Sequence, residues 1–314
     1  MNPLLKIVLL VSAMMLSGTL AGCDAGAPSS PSAVTQDPNA KLRIVCTTTM
    51  ITDLIRQMVK DHAIVQGIMR EGEDPHVYDV RPRDAQMIAA ADVVFTNGLH
   101  LEATLIHVIE HNARSAIVNP LAESPDIQLR KSTTISGAPD PHCWMNVKYF
   151  MVYLDSALAT LVKADPQHAD AYRANAQAYR KQLESLDTWV QQQLNTVPRK
   201  QRVMVTSHDA FAYMGARYGI DVLAVIGMST EQQPRPQDVI ALEKSVRDRG
   251  VRAVFIETSV TQTLNDIVKK IADRTGVRIG GSLYSDSLGK AGTETGTYIG
   301  MIRHNVTILV QALR

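Results

Sequence analysis

Three histidines and one aspartate, widely separated along the chain, are each presented from a short polar turn. His76 lies in the segment Gly72–Pro82, and His142 in Asp140-Pro141-His142. His208 lies in Ser207-His208-Asp209, and Asp286 in Ser285-Asp286-Ser287. Neutral imidazoles with one carboxylate are ligands suited to a first-row transition ion. The set is too rich in nitrogen for Ca²⁺ or Mg²⁺, which take oxygen ligands. It suits Zn²⁺ at four-coordination; if the aspartate binds through both oxygens, it suits Mn²⁺ or Fe²⁺ at five or more. With a divalent ion bound, the site keeps one positive charge. Binding of this kind weakens below about pH 6, as imidazoles protonate. We therefore read His76, His142, His208 and Asp286 as one metal site. A lone histidine is more often a surface or capping residue, and His62, His100, His107, His111, His168 and His304 receive that reading.

The surrounding pattern supplies a scaffold. Leu42–Thr47, Ala63–Met69, Val93–Thr96 and Ala116–Asn119 are short apolar runs of the parallel-strand type. Helical spacing appears in Met50–Val59, in a segment opened by Pro82, and in Leu101–Glu110. Glu123–Pro141 loses periodicity and reads as a loop. Val147–Ala164 is a helix, and a second runs from about Gln167 to Leu194, roughly 40 Å long at ~1.5 Å per residue. The second half repeats the plan, with strands Val203–Thr206, Asp221–Ile226, Ala253–Ile256 and Val277–Leu283. Its helices are Ala210–Arg217, Gln237–Arg249, Leu264–Thr275 and Thr297–Leu313. Alternation of this kind predicts an α/β fold of two lobes, each a parallel sheet flanked by helices. One long backbone helix joins them. The expected boundaries are 41–165 for the first lobe, 166–197 for the connecting helix and 198–314 for the second lobe. Open α/β sheets bind ligands beyond the carboxyl ends of their strands. His76, His208 and Asp286 all follow strands, and two candidates come from each half, so the site is expected in the cleft between lobes.

The sequence has 314 residues, 45% of them hydrophobic and 20% charged, with a net charge of +1. That balance leaves no footprint for nucleic acid. Lys6 and the apolar stretch Ile7–Leu16 read as a signal segment too short to span a bilayer. Leu20-Ala21-Gly22-Cys23 resembles the bacterial lipoprotein signal, with Cys23 as the lipidated residue. The expected division is a signal peptide over 1–22 and a flexible tether over 23–40, rich in Ser, Pro, Ala and Gly. Cys46 and Cys143 remain. We read them as buried free thiols, the alternatives being a disulfide and, for Cys143, a thiolate ligand.

Four motifs then carry a family resemblance: Asp74-Pro75-His76, Asp140-Pro141-His142-Cys143-Trp144, Ser207-His208-Asp209-Ala210-Phe211 and Tyr284-Ser285-Asp286. In that order they resemble the metal-ligand motifs of the cluster A-I solute-binding proteins. These are receptors of ABC importers for zinc, manganese and iron, and they include adhesin-type lipoproteins. Asn97–Glu102 and Phe255-Ile256-Glu257 also look familial. The resemblance spans about Lys41 to Arg314. It implies a monomeric receptor, not an enzyme, that delivers its ion to a permease in the cytoplasmic membrane. It also implies an anchor through lipid on Cys23, facing the periplasm or the extracellular side. Zinc-specific members often carry a loop rich in histidine and acid, and Glu123–Pro139 holds no histidine. That points toward manganese, while the third histidine points toward zinc. Glu257 is read as a hydrogen-bond partner of a ligand histidine, against a plain solvated strand-end charge. Trp144 and Phe211 are read as walls of the cleft. A long helical connector predicts modest lobe movement on binding. Two other readings use the same residues: a zinc hydrolase with Glu257 as general base, and an adhesion protein with a structural metal.

Overall fold

The computed structural model describes residues 40–131 and 137–314. The expected signal peptide and nearly all of the tether, Cys23 included, lie outside the described residues.

Four parallel strands build the first sheet: β1 (Leu42–Cys46), β2 (Ala63–Gly67), β3 (Val93–Thr96) and β4 (Ile117–Pro120), in the order β2-β1-β3-β4. The pleat sorts their side chains. Ile44 and Cys46 face one core and Val45 another, as Val93 and Phe95 oppose Val94. Helices α1 (Thr49–Val59), α2 (Pro82–Ala89) and α3 (Leu105–Asn112) make the crossovers. Thr48 caps α1, its hydroxyl accepting from Ile51 N. Pro82 opens α2 as the sequence implies.

Helix α3 starts at Leu105 and not at Leu101. The cause is local. Gly98, Leu99 and His100 have φ of 82°, 55° and 63°, and Ala103 has 39°. Left-handed non-glycine residues cost of order 1 kcal/mol each, so something must hold this loop. Only glycine suits position 98, where an added Cβ would lie 2.8 Å from Pro120 Cβ.

Helix α4 (Val147–Ala164) leads through a turn at Pro166–His168 into α5 (Ala169–Asn195), a helix of 27 residues. At ~1.5 Å per residue it is about 40 Å long. Tyr172, Ala176, Tyr179, Leu183, Leu186, Val190 and Leu194 form its buried stripe. It packs against α1, α4 and α9 (Tyr298–Leu313).

In the second half β5 (Val203–His208) pairs in parallel with β6 (Asp221–Ile226). Strand β7 (Ala253–Glu257) pairs in parallel with β8 (Arg278–Leu283), and β5 lies beside β7. Helices α6 (Ala212–Tyr218), α7 (Pro236–Asp248) and α8 (Gln262–Thr275) flank them. Again the pleat divides the residues: Met204, Ala253 and Phe255 enter the large core, and Val203, Val205 and Val254 the smaller one. The large core runs from Ile44 to Leu313 through α4, α5 and α9, so the strands of both halves share it. Parallel sheets with helices on their faces and one long helix are the α/β arrangement that the alternating pattern predicts.

Candidate metal centre

The two Asp-Pro-His segments build the same turn. Proline fixes its own φ, and the preceding aspartate folds back so that Oδ1 accepts from the histidine N–H. The distances are 2.9 Å in Asp74–His76 and 3.0 Å in Asp140–His142. His76 falls in a single helical turn, Pro75–Val77, beyond the end of β2. The His142 turn carries a further bond, with ring Nδ1 2.8 Å from Asp140 Oδ1. That contact directs Nε2 away from Asp140.

The second half presents its pair from strand ends. His208 is the last residue of β5, two positions beyond the strand end expected at Thr206. Behind it stands Glu257, the last residue of β7. Its Oε1 accepts from Ser207 N at 2.8 Å and His208 N at 3.0 Å, and its Oε2 lies 2.8 Å from His208 Nδ1. Asn265 locks that carboxylate's own backbone, accepting from Glu257 N at 2.9 Å and donating to Glu257 O at 2.8 Å. Asp286 follows β8. Its N–H donates to Ser259 Oγ at 3.3 Å, and Trp144 Nε1 donates to the adjacent Ser285 carbonyl at 3.0 Å. That last bond stitches the aspartate turn to the His142 turn.

These four turns converge. One ligand-type atom from each of His76, His142, His208 and Asp286 lies within 4.8 Å of every other. His76 Nε2 and His142 Nε2 are 3.2 Å apart. Asp286 Oδ1 is 3.4 Å from His142 Nε2, and Asp286 Oδ2 is 3.0 Å from His208 Nε2. Ligands about 2.1 Å from a tetrahedral ion sit ~3.4 Å from each other. Both carboxylate oxygens thus face imidazole nitrogens of the cluster, the arrangement a bidentate aspartate needs. All four side chains are buried, and His76 is the most accessible at 4%. Despite these approaches, His208 Nε2 and Asp286 Oδ1 make no hydrogen bond of good geometry. Buried polar atoms left so cost about 1–3 kcal/mol apiece, and a cation at the centre would satisfy both.

The electrostatics of the metal-free site differ from ring to ring. Burial pushes His76 down to about 3, the Asp286 charge only partly opposing it. Burial also acts against protonation of His142, but Asp140 and Asp286 outweigh it and raise the ring to about 9. His208 is held well above the usual imidazole range, because the Glu257 and Asp286 charges overcome its burial. Asp286 is held well below the carboxylate range, burial being outweighed by His208 and His142. His142 and His208 are thus biased toward the protonated form, where a divalent ion would place its own charge.

Several residues that shape the site escape a reading of types and spacing. Asp140 is one, although its i, i+2 relation to His142 is a usable signal. Asn265 and Ser259 have no such signal, because they reach the site only through tertiary packing. The Trp144 ring lies tilted beside His142, ring centroids 5.2 Å apart, and Phe211 is fully buried. Cys46 and Cys143 are buried free thiols, and burial raises Cys143 to about 12. His168 contacts Asp165 at 2.8 Å at the start of α5, and His304 contacts the Ser282 carbonyl at 3.1 Å. His107 pairs with Glu110 on an exposed face. Among the described residues the one cluster with metal-ligand spacing is the predicted set. No helix among the described residues is long and apolar enough to cross a membrane.

Residues 44–312 match the family model described as "ZnuA: Zinc-uptake complex component A periplasmic". The chain is 35% identical over 312 residues to the manganese-binding lipoprotein MntA of Bacillus subtilis, covering 98% of this chain and 99% of the relative. It is 31% identical over 283 residues to the iron-binding protein YfeA of Yersinia pestis, covering 88% and 87%. Its fold superposes on the periplasmic zinc-binding protein TroA of Treponema pallidum with a TM-score of 0.83 at 32% identity, covering 87% of this chain and 99% of that one.

Proposed function

We propose, from the premise that this chain belongs to the family of zinc-uptake complex component A (ZnuA), that His76, His142, His208 and Asp286 hold its ion. The protein is an extracytoplasmic receptor that binds a divalent transition metal for an ABC importer. The observation that carries the site assignment is the convergence of the four buried side chains, two from each sheet-bearing half, on one centre.

Three imidazoles and a carboxylate offering both oxygens suit Mn²⁺, Zn²⁺ or Fe²⁺ as cargo. The relatives are named for manganese, iron and zinc, which supports a site that fits several ions of this class. Glu257 faces His208 Nδ1, the nitrogen turned away from the centre. That position supports an orienting role and not the general base that a hydrolase would need. We assign 41–165 and 198–314 as lobes and 166–197 as their connector, with Cys23 carrying the lipid anchor and a monomer as the working unit. Movement between lobes is expected to be modest, because the long helix and the shared core resist hinge bending.

Titration of His76→Ala and Asp286→Ala against Mn²⁺ and Zn²⁺ tests the site. Loss of tight binding in both is expected. Parent-like affinity in either removes that residue from the site.

A further inference from the structure

Resting on that reading of the site, we propose that Asn97 and Glu102 are positioning residues for His142. They fix the peptide bond that carries this ligand before any ion arrives.

Asn97 follows β3 and is 1% exposed. Its amide donates to the Pro141 carbonyl at 3.1 Å, the group directly before His142. Its Oδ1 accepts from the Tyr153 hydroxyl at 2.6 Å, which fixes the amide's orientation. The same amide nitrogen also reaches the Gly98 carbonyl at 3.1 Å. Asn97 thus holds the carbonyl before His142, while the Asp140 carboxylate holds its ring.

Glu102 sets the position of Asn97. Its carboxylate accepts from the backbone N–H of Asn97, from Gly98 N at 3.1 Å and from the Thr47 hydroxyl at 2.7 Å. Thr47 stands at the end of β1, so the carboxylate ties together the ends of two neighbouring strands. The left-handed run at Gly98, Leu99 and His100 turns the chain back and brings Glu102 under Asn97. Leu99 N is held in turn by Glu123 Oε1 at 3.0 Å. A buried carboxylate with several donors and a strained loop that must be paid for elsewhere recur where geometry is preset for function. Here the side-chain link from this loop toward the site leads to Pro141.

The test uses the protein loaded with ¹¹³Cd²⁺ and labelled with ¹⁵N-histidine. Asn97→Asp removes the donor to the Pro141 carbonyl and keeps the acceptor for Tyr153. We expect Cd²⁺ affinity to fall about tenfold, the low end of the loss seen when outer partners of metal ligands are removed. The His142 cadmium–nitrogen coupling should weaken or broaden while those of His76 and His208 persist. Glu102→Gln should act in the same direction. Where Asn97→Asp fails to fold, Tyr153→Phe, which frees the Asn97 amide to rotate, should still cause a selective change at His142 and a loss of a few-fold. Parent-like affinity and couplings in the folded variants overturn the proposal, as does a loss shared equally by all three histidines. A parent protein without a His142 coupling overturns the site assignment itself, and the proposal with it.

Discussion

The two Asp-Pro-His turns share a tripeptide and a backbone hydrogen bond, yet they place their two candidate ligands in different surroundings. In the His142 turn the aspartate serves both backbone and ring, at 3.0 Å and 2.8 Å. In the His76 turn Asp74 Oδ1 serves the backbone at 2.9 Å, and Oδ2 is buried without a hydrogen-bond partner. His142 is fully buried, and its preceding carbonyl is held by Asn97. His76 keeps a small opening to solvent. Without metal, His142 is raised to about 9 and His76 lowered to about 3. Local sequence therefore builds the turn, and the tertiary surroundings decide whether the ring is held by its aspartate and charged or not held by it and neutral. We read His142 as a ligand set in place by the fold and His76 as the ligand nearest the ion's route.

The largest expected effect separates the two rings. His142→Ala and His76→Ala should each weaken Mn²⁺ and Zn²⁺ binding by at least about 100-fold, beyond the loss typical of outer partners. His142→Ala should cost more, because it also strips a buried partner from Asp140 and Asp286. Calorimetric titration of the two variants measures the gap, and equal losses would break the distinction. The aspartates sharpen it. Asp140→Asn should lower affinity by ~10-fold or more and Asp74→Asn by only a few-fold, since only Asp140 orients a ring.

Protonation gives a smaller, continuous effect. A raised histidine pKa means that the proton is on the ring at pH 7, and the ion must expel it. Affinity should therefore rise with pH at least through about 9, with proton release seen as a buffer-dependent binding enthalpy. For the metal-free fold the sign is opposite. Stability from the protonated His142 is fully present below its unfolded pKa and is lost as pH rises through about 9. A pH-independent affinity between pH 6 and 9 would contradict both statements. The smallest effect is expected at Thr230, a buried residue between β6 and α7 that neighbours Asp74 but whose hydroxyl lacks a geometrically sound partner. Thr230→Val should change metal affinity by no more than about twofold, as for a buried group whose hydrogen bond contributes little.

Much of this was legible in the residues. Apolar runs alternating with helical spacing give the parallel sheets, and histidine or aspartate after strands gives the four-residue cluster. What stayed hidden depends on groups that meet only after folding. The start of α3 is one case. Leu101 to Leu105 have helical apolar spacing, but the buried Glu102 carboxylate pulls the chain through left-handed conformations instead. The anchoring of His208 is another. Glu257 was visible as a strand-end acid, whereas Asn265, which fixes it from α8, carries no sign of that role in its neighbours. The position of β5's end is a third, because pairing with β6 extends the strand to His208.

X-ray absorption on protein loaded with one equivalent of Zn²⁺, and again with Mn²⁺, tests the central claim most directly. Three imidazoles and a carboxylate are expected around a single ion, with one imidazole lost in His142→Ala. A shell with two or fewer imidazoles in the parent protein, or a sulfur contribution from Cys143, would contradict it.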